Sequence, residues 1–134
     1  MGLRFKDVFE DIPMKLDWSI NPYGQKLTKA ITEDRYPVLF GSLLKGKKGR
    51  WIQYVKEQGH LASEPKKLFL EVGCHKGLCL SLMAKDHPDS AFLGVDFTLK
   101  RSFLTAQRLA EKKLNNAFSV LADARLLEQF VAPA

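Results

Sequence analysis

The chain has 134 residues, 46% of them hydrophobic and 27% charged, with nine glycines, six prolines and a formal charge of +6. This is the length of one domain and the composition of a globular protein, which excludes disorder or low complexity as descriptions of the whole. No stretch approaches the roughly 18 apolar residues that span a bilayer, and the charged start MGLRFKDVFEDIPMK lacks the apolar core of a secretory signal.

In chain order, residues 1–24 read as irregular, with Pro13 and Pro22 breaking any long period. The pattern from Gln25 to Leu44 is mixed and interrupted by Pro37, with a short helix before Glu33. KGKKGR (45–50) reads as an exposed turn. Trp51, Tyr54 and Val55 recur at i, i+3 and i+4, which predicts a short amphipathic helix over 51–58, followed by a loop to Lys67. LFLEV (68–72) is a buried strand leading into GCHKG (73–77), and residues 78–87 form a helix stopped by Pro88. AFLGV (91–95) is a second strand, ending at Asp96. Leu99, Phe103, Ala106, Leu109, Ala110 and Leu114 share one face of a helix over 98–114. AFSVLA (117–122) is a third strand, closed by Asp123. The order β-α-β-α-β predicts an α/β fold with a parallel sheet over 68–134, preceded by a basic, partly helical extension over 1–67.

Charge follows the same division. Residues 1–67 carry 13 Lys and Arg against 8 Asp and Glu, while residues 68–134 carry 8 against 7. A polyanion is the partner such a half fits, nucleic acid being the commonest, and Lys45, Lys47, Lys48 and Arg50 are its densest cations. The competing reading is a solvated, lysine-rich linker. Cys74 and Cys79 are five residues apart with no companion ligands, which predicts reduced thiols in a cytoplasmic protein and no metal site.

Glu71, Asp96 and Asp123 stand at the C-terminal ends of the three predicted strands, the edge where open parallel sheets bind ligands. Gly73 and Gly77 let the backbone approach a ligand beneath the following helix. Asp96 lies 23 residues after Gly73, where a carboxylate accepts from both ribose hydroxyls. The glycine spacing does not fit the dinucleotide fingerprint, and an acid before the first glycine repels a pyrophosphate. An acidic site suits instead a cationic ligand such as S-adenosylmethionine, with Asp123 and Ala124 at the adenine edge. Against this stands the reading that the three acids only cap strands and helices.

LFLEVGCHKG, FLGVDF and SVLADA together resemble the bacterial tRNA (guanine-N7-)-methyltransferases over residues 66–128, with NPYGQKL (21–27) a looser match. The resemblance implies a Rossmann-like class I methyltransferase fold, of which only the first half is present. It also implies S-adenosylmethionine as cofactor and tRNA as partner. By the same resemblance Glu71, Gly73, Cys74, Gly77, Asp96, Phe97, Asp123 and Ala124 hold the cofactor, and the substrate-holding carboxylate lies beyond Ala134. His75 stands where the family has glycine.

Lys100 and Arg101 open the helix beside this edge and are further candidates for RNA phosphate, or plain solvated residues. Trp51 and Tyr54 read as packing residues before base-stacking ones, and Asn115 and Asn116 as a turn. The alternative function is a non-catalytic RNA-binding module on half of a Rossmann-like fold. In either case LFLEV is an open sheet edge, through which the chain is expected to self-associate unless further chain covers it.

Overall fold

A computed structural model of the chain describes residues 22–44, 46–73 and 76–131. Within them, four strands run parallel in one sheet: β1 (Val38–Phe40), β2 (Leu68–Val72), β3 (Ala91–Asp96) and β4 (Ala117–Leu121), in the order β1-β4-β3-β2. The helices are α1 (Pro22–Lys29), α2 (Trp51–Gly59), α3 (Leu78–Asp86), α4 (Leu99–Glu111) and the single turn α5 (Leu127–Phe130).

The α/β reading of 68–131 holds element by element, because each strand there is a run of apolar residues between turn formers. The first half departs from its reading. Val38–Phe40 is a strand, paired in register with Ser119–Leu121 of β4. Pro37 supplies the carbonyl that receives the Ser119 N–H at 2.8 Å, so the proline that interrupts the helical period starts a strand instead. Three residues are too few for a period to declare itself. Pro22 is likewise no breaker: it is the first residue of α1, where a missing N–H costs nothing. A π-helical turn over Ala30–Asp34 follows and closes at Arg35, in the left-handed region at φ 54°. The first half thus contributes a fourth strand and two helices to the same sheet sandwich.

Side-chain alternation along the strands builds a core on each face. On one, Leu39, Leu93, Val95, Phe118 and Val120 meet Trp51 and Val55 of α2 and Phe130 of α5. On the other, Val38, Phe40 and Leu121 meet α1 and α4, while Phe92 and Ala117 meet Leu80 and Ala84 of α3. Trp51 is buried, and its indole N–H donates to the Phe130 carbonyl at 2.6 Å, which settles it as a packing residue. Tyr54 stands edge-on to Trp51 and packs on Phe118, and its burial pushes the phenol pKa up.

Asn116 is more than a turn residue. It is buried, and its side-chain amide donates to the carbonyls of Ala84, His87 and Ser90 at 3.0–3.1 Å, pinning the end of α3 to the start of β4. At the far end of the sheet β2 is the open edge. Phe69, Leu70 and Val72 are exposed there, as are Leu78 and Leu82 of α3. The strand read as buried is therefore partly bare on its outer side.

Candidate functional site at the carboxylate edge

The parallel register brings the C-terminal ends of all four strands to one edge. Glu71 lies opposite Gly94, Asp96 opposite Leu121, and Phe40 opposite Leu121 on its other flank. Neighbouring strands are about 4.8 Å apart. Glu71 and Asp96 therefore stand on adjacent strands, with Asp123 two residues beyond the end of the next. Gly94, opposite Glu71, adds no side chain that would crowd the carboxylate.

Asp96 is 5% exposed. Its Oδ1 accepts the Thr98 N–H at 2.8 Å, which fixes the carboxylate as the chain turns into α4. Its carbonyl accepts the Ala122 N–H at 3.0 Å and the Ser102 hydroxyl at 3.2 Å. Phe97 is 62% exposed, an aromatic ring held out at the edge. Glu71 is half-buried and lines a cleft of 880 Å³ with Lys76, Leu78, Cys79, Phe97, Thr98, Lys100, Arg101 and Leu104. The pKa of the Cys79 thiol is raised, first by the charge of the Glu71 carboxylate, then by desolvation and by a hydrogen bond with Glu71, so Cys79 is held as a neutral thiol.

The loop after β2 carries two glycines with different reasons. Gly73 sits at φ 73° with open space where a Cβ would be, so its backbone borders the vacant side of the edge. Gly77, at φ 77°, precedes α3, and a Cβ there would lie 2.7 Å from Thr105 Cγ2 and 3.1 Å from Thr105 Cα. Gly77 is thus needed for the close approach of α3 to α4. Arg108 of α4 donates from Nε to the Lys76 carbonyl at 3.1 Å and ties this loop down. Cys74 and His75 lie outside the described residues.

Asp123 caps the short turn Ala124–Leu126 and is engaged by its own neighbour. The Arg125 N–H donates to Oδ1 at 2.9 Å, and its guanidinium reaches both carboxylate oxygens, down to 2.5 Å from Nη2. These hydrogen bonds hold the Asp123 carboxyl down at about 2.

Cations flank the edge on both faces. Lys100 and Arg101 are exposed on the first turn of α4 beside the cleft. Because β1 ends at Phe40 next to β4, the segment that follows it delivers the basic turn to the same edge, ahead of α2. Lys48 and Arg50 are exposed, and Lys47 lies over the Tyr54 ring at 4.8 Å from its centroid. Lys45 is outside the described residues. The structure thus brings Glu71, Gly73, Gly77, Asp96, Phe97, Asp123 and Ala124 to one edge, although only Glu71 and Phe97 of these line the cleft. Sequence reasoning missed Lys76, Cys79, Arg108 and Arg125. For Arg125 a signal existed, since an Asp followed two residues later by a donor N–H is an Asx turn.

Among the described residues no cluster of His, Cys, Asp and Glu could hold a metal ion, and no helix is long and apolar enough to cross a membrane.

Residues 65–134 match the model of a family described as "Putative methyltransferase". A tRNA (guanine-N(7)-)-methyltransferase of Chloroflexus aggregans is 40% identical over 62 residues, covering 46% of this chain and 28% of that protein. One of Limosilactobacillus reuteri is 31% identical over 84 residues, covering 62% of this chain and 36% of that protein. A bifunctional glycosyltransferase/methyltransferase of Fusobacterium nucleatum is 24% identical over 110 residues, covering 82% of this chain and 16% of that protein. The chain therefore spans about a third or less of these relatives' length. Among solved structures, PKMT2 from Rickettsia typhi in complex with AdoHcy aligns with a TM-score of 0.42 and 25% identity, over 57% of this chain and 15% of that one. With the family model covering more than half its length, this α/β chain belongs to that methyltransferase family.

Proposed function

We propose that this chain carries the S-adenosylmethionine-binding part of a methyltransferase that modifies N7 of guanine in tRNA. One observation carries the reading: three carboxylates stand at the ends of three adjacent parallel strands, beside an exposed phenylalanine and a backbone bordering open space. This acceptor set fits the cofactor, which offers ribose hydroxyls, an adenine amino group and positive charge to acceptors. The similarity to tRNA methyltransferases over the strand-ending motifs supports the same reading.

When bound, S-adenosylmethionine supplies the methyl group. Asp96, oriented by the Thr98 N–H, accepts from the ribose hydroxyls. Glu71 supplies negative charge next to the ligand's cationic end, and Phe97 offers a face to the base. Asp123 and Ala124 meet the adenine edge. The strand ends hold these groups rigidly, so they act by positioning and electrostatics. Guanine N7 has a lone pair and no proton, so the chemistry asks no general base of this chain.

RNA phosphates are proposed to meet the edge from both faces, at Lys47, Lys48 and Arg50 on one and Lys100 and Arg101 on the other. Ultraviolet cross-linking of labelled S-adenosylmethionine, followed by peptide mapping, tests the cofactor site. The predicted label falls on the peptides holding residues 68–77, 91–101 and 117–125, and label confined elsewhere contradicts the proposal.

A further inference from the structure

Arg125 takes up most of the accepting capacity of Asp123. A carboxylate has about four lone-pair positions. Here three N–H groups of Arg125 take up three of them: the backbone N–H on Oδ1 at 2.9 Å, Nη2 on Oδ2 at 2.5 Å, and the single Nε proton shared between Oδ1 at 3.1 Å and Oδ2 at 3.0 Å. A nucleoside amino group that donates to Asp123 therefore competes with the guanidinium, which spans both oxygens. The side chain is free to leave, being 87% exposed, and a pair so open to water holds weakly. The backbone N–H of Arg125 can keep its bond to Oδ1, so Asp123 stays aimed after the guanidinium goes.

We infer that Arg125 is a displaceable latch on Asp123 that couples cofactor binding to polyanion binding at the same edge. The inference rests on the proposed reading of Asp123 as a nucleoside-binding carboxylate. The released guanidinium carries its charge to the end of β4, next to the end of β1 and the basic turn that follows it. A polyanion drawn to Lys47, Lys48 and Arg50 meets one more cation there once Asp123 has been taken by the nucleoside. Conversely, a phosphate that captures the guanidinium frees Asp123. Such coupling is reciprocal, so each ligand raises the affinity for the other. A permanent ion pair, by contrast, would serve only to close the Ala124–Leu126 turn.

Calorimetric titration of the 134-residue chain with S-adenosylhomocysteine, alone and with saturating unmodified tRNA transcript, tests this. In the wild type the transcript is expected to tighten binding by about fivefold or more. Arg125→Met is expected to bind S-adenosylhomocysteine more tightly than wild type without RNA, and to gain nothing further when RNA is added. Arg125→Lys, which keeps the charge but lacks the fork that grips both oxygens, should share the first effect and retain part of the second. Equal affinity of wild type and Arg125→Met, tightening that persists in Arg125→Met, or no tightening in the wild type overturns the latch. Asp96→Ala separates the two claims. If that variant binds as the wild type does, the site reading falls and the latch with it. If it loses binding while Arg125→Met behaves as wild type, the latch alone falls.

Discussion

Ser119 of β4 donates its hydroxyl to the carbonyl of Ser102 on α4 at 2.8 Å, and Ser102 in turn donates to the carbonyl of Asp96 at 3.2 Å. Both serines are fully buried. This relay stitches the middle of the sheet to the first turn of α4 directly beneath the edge where Asp96 is held. Ser102→Ala removes its upper link and is expected to lower stability by about 1 kcal/mol, the net worth of one buried hydrogen bond. Urea unfolding of the variant against wild type measures it, with the fall appearing in the midpoint and not in the slope.

The two glycines of the loop after β2 should separate by stability. Gly77→Ala meets Thr105 at 2.7 Å and also forces a left-handed residue, for an expected loss of about 2–4 kcal/mol. Gly73→Ala meets no atom, so only the backbone cost of about 1–2 kcal/mol remains. Thermal unfolding of the pair should place Gly77→Ala clearly lower, and the reverse order would contradict the packing described for α3 on α4.

Asn116→Ala should cost about 2–3 kcal/mol, because it strands three carbonyls that one amide now serves. The loss belongs to folding, so the variant's affinity for ligands at the opposite end of the sheet should hold wherever it remains folded. Denaturant midpoints and a ligand titration on the same preparation separate the two effects.

The pH behaviour of Asp123 follows from Arg125. Because the folded carboxyl lies at about 2, below its ordinary value, the small contribution of this exposed pair to stability is present above the ordinary carboxylate range and is lost as pH falls toward 2. A carbon-detected NMR titration should find Asp123 still ionised at pH 3, and Arg125→Met should return it toward about 3.9. An unchanged midpoint in the variant would show that the guanidinium does not hold the carboxylate.

At the edge strand, Phe69, Leu70 and Val72 are exposed on β2, which among the described residues pairs only with β3. The chain in solution is expected to self-associate there, and Val72→Lys to reduce it, since a lysine on an edge strand opposes strand addition. Light scattering across a concentration series reads both, and equal association in the two proteins would move the contact elsewhere.

The second half of the fold was legible because its signals were dense. Three apolar runs were separated by residues with a helical period, and each carried an acid at or next to its end, so both the parallel sheet and the carboxylates could be read from the sequence. The first half was not, since Val38–Phe40 becomes a strand only through its pairing with β4, a contact no local pattern announces. For the same reason the basic turn was legible as a cluster of charge and a candidate for RNA phosphate, but not its position after β1, which depends on that strand. Arg125 escaped notice because ionic engagement of Asp123 depends on the turn that brings the two together.

The most direct test of the central claim is the affinity of the chain for S-adenosylhomocysteine with Asp96 intact and removed. Loss of a charged acceptor costs about 1.5–3 kcal/mol, which is about a tenfold to hundredfold change in affinity. Calorimetry should show one site in the wild type, Asp96→Ala weakened by that factor, and Glu111→Ala, at the exposed far end of α4, unchanged. Equal affinity in Asp96→Ala and Glu111→Ala would contradict the assignment of the carboxylate edge as the cofactor site.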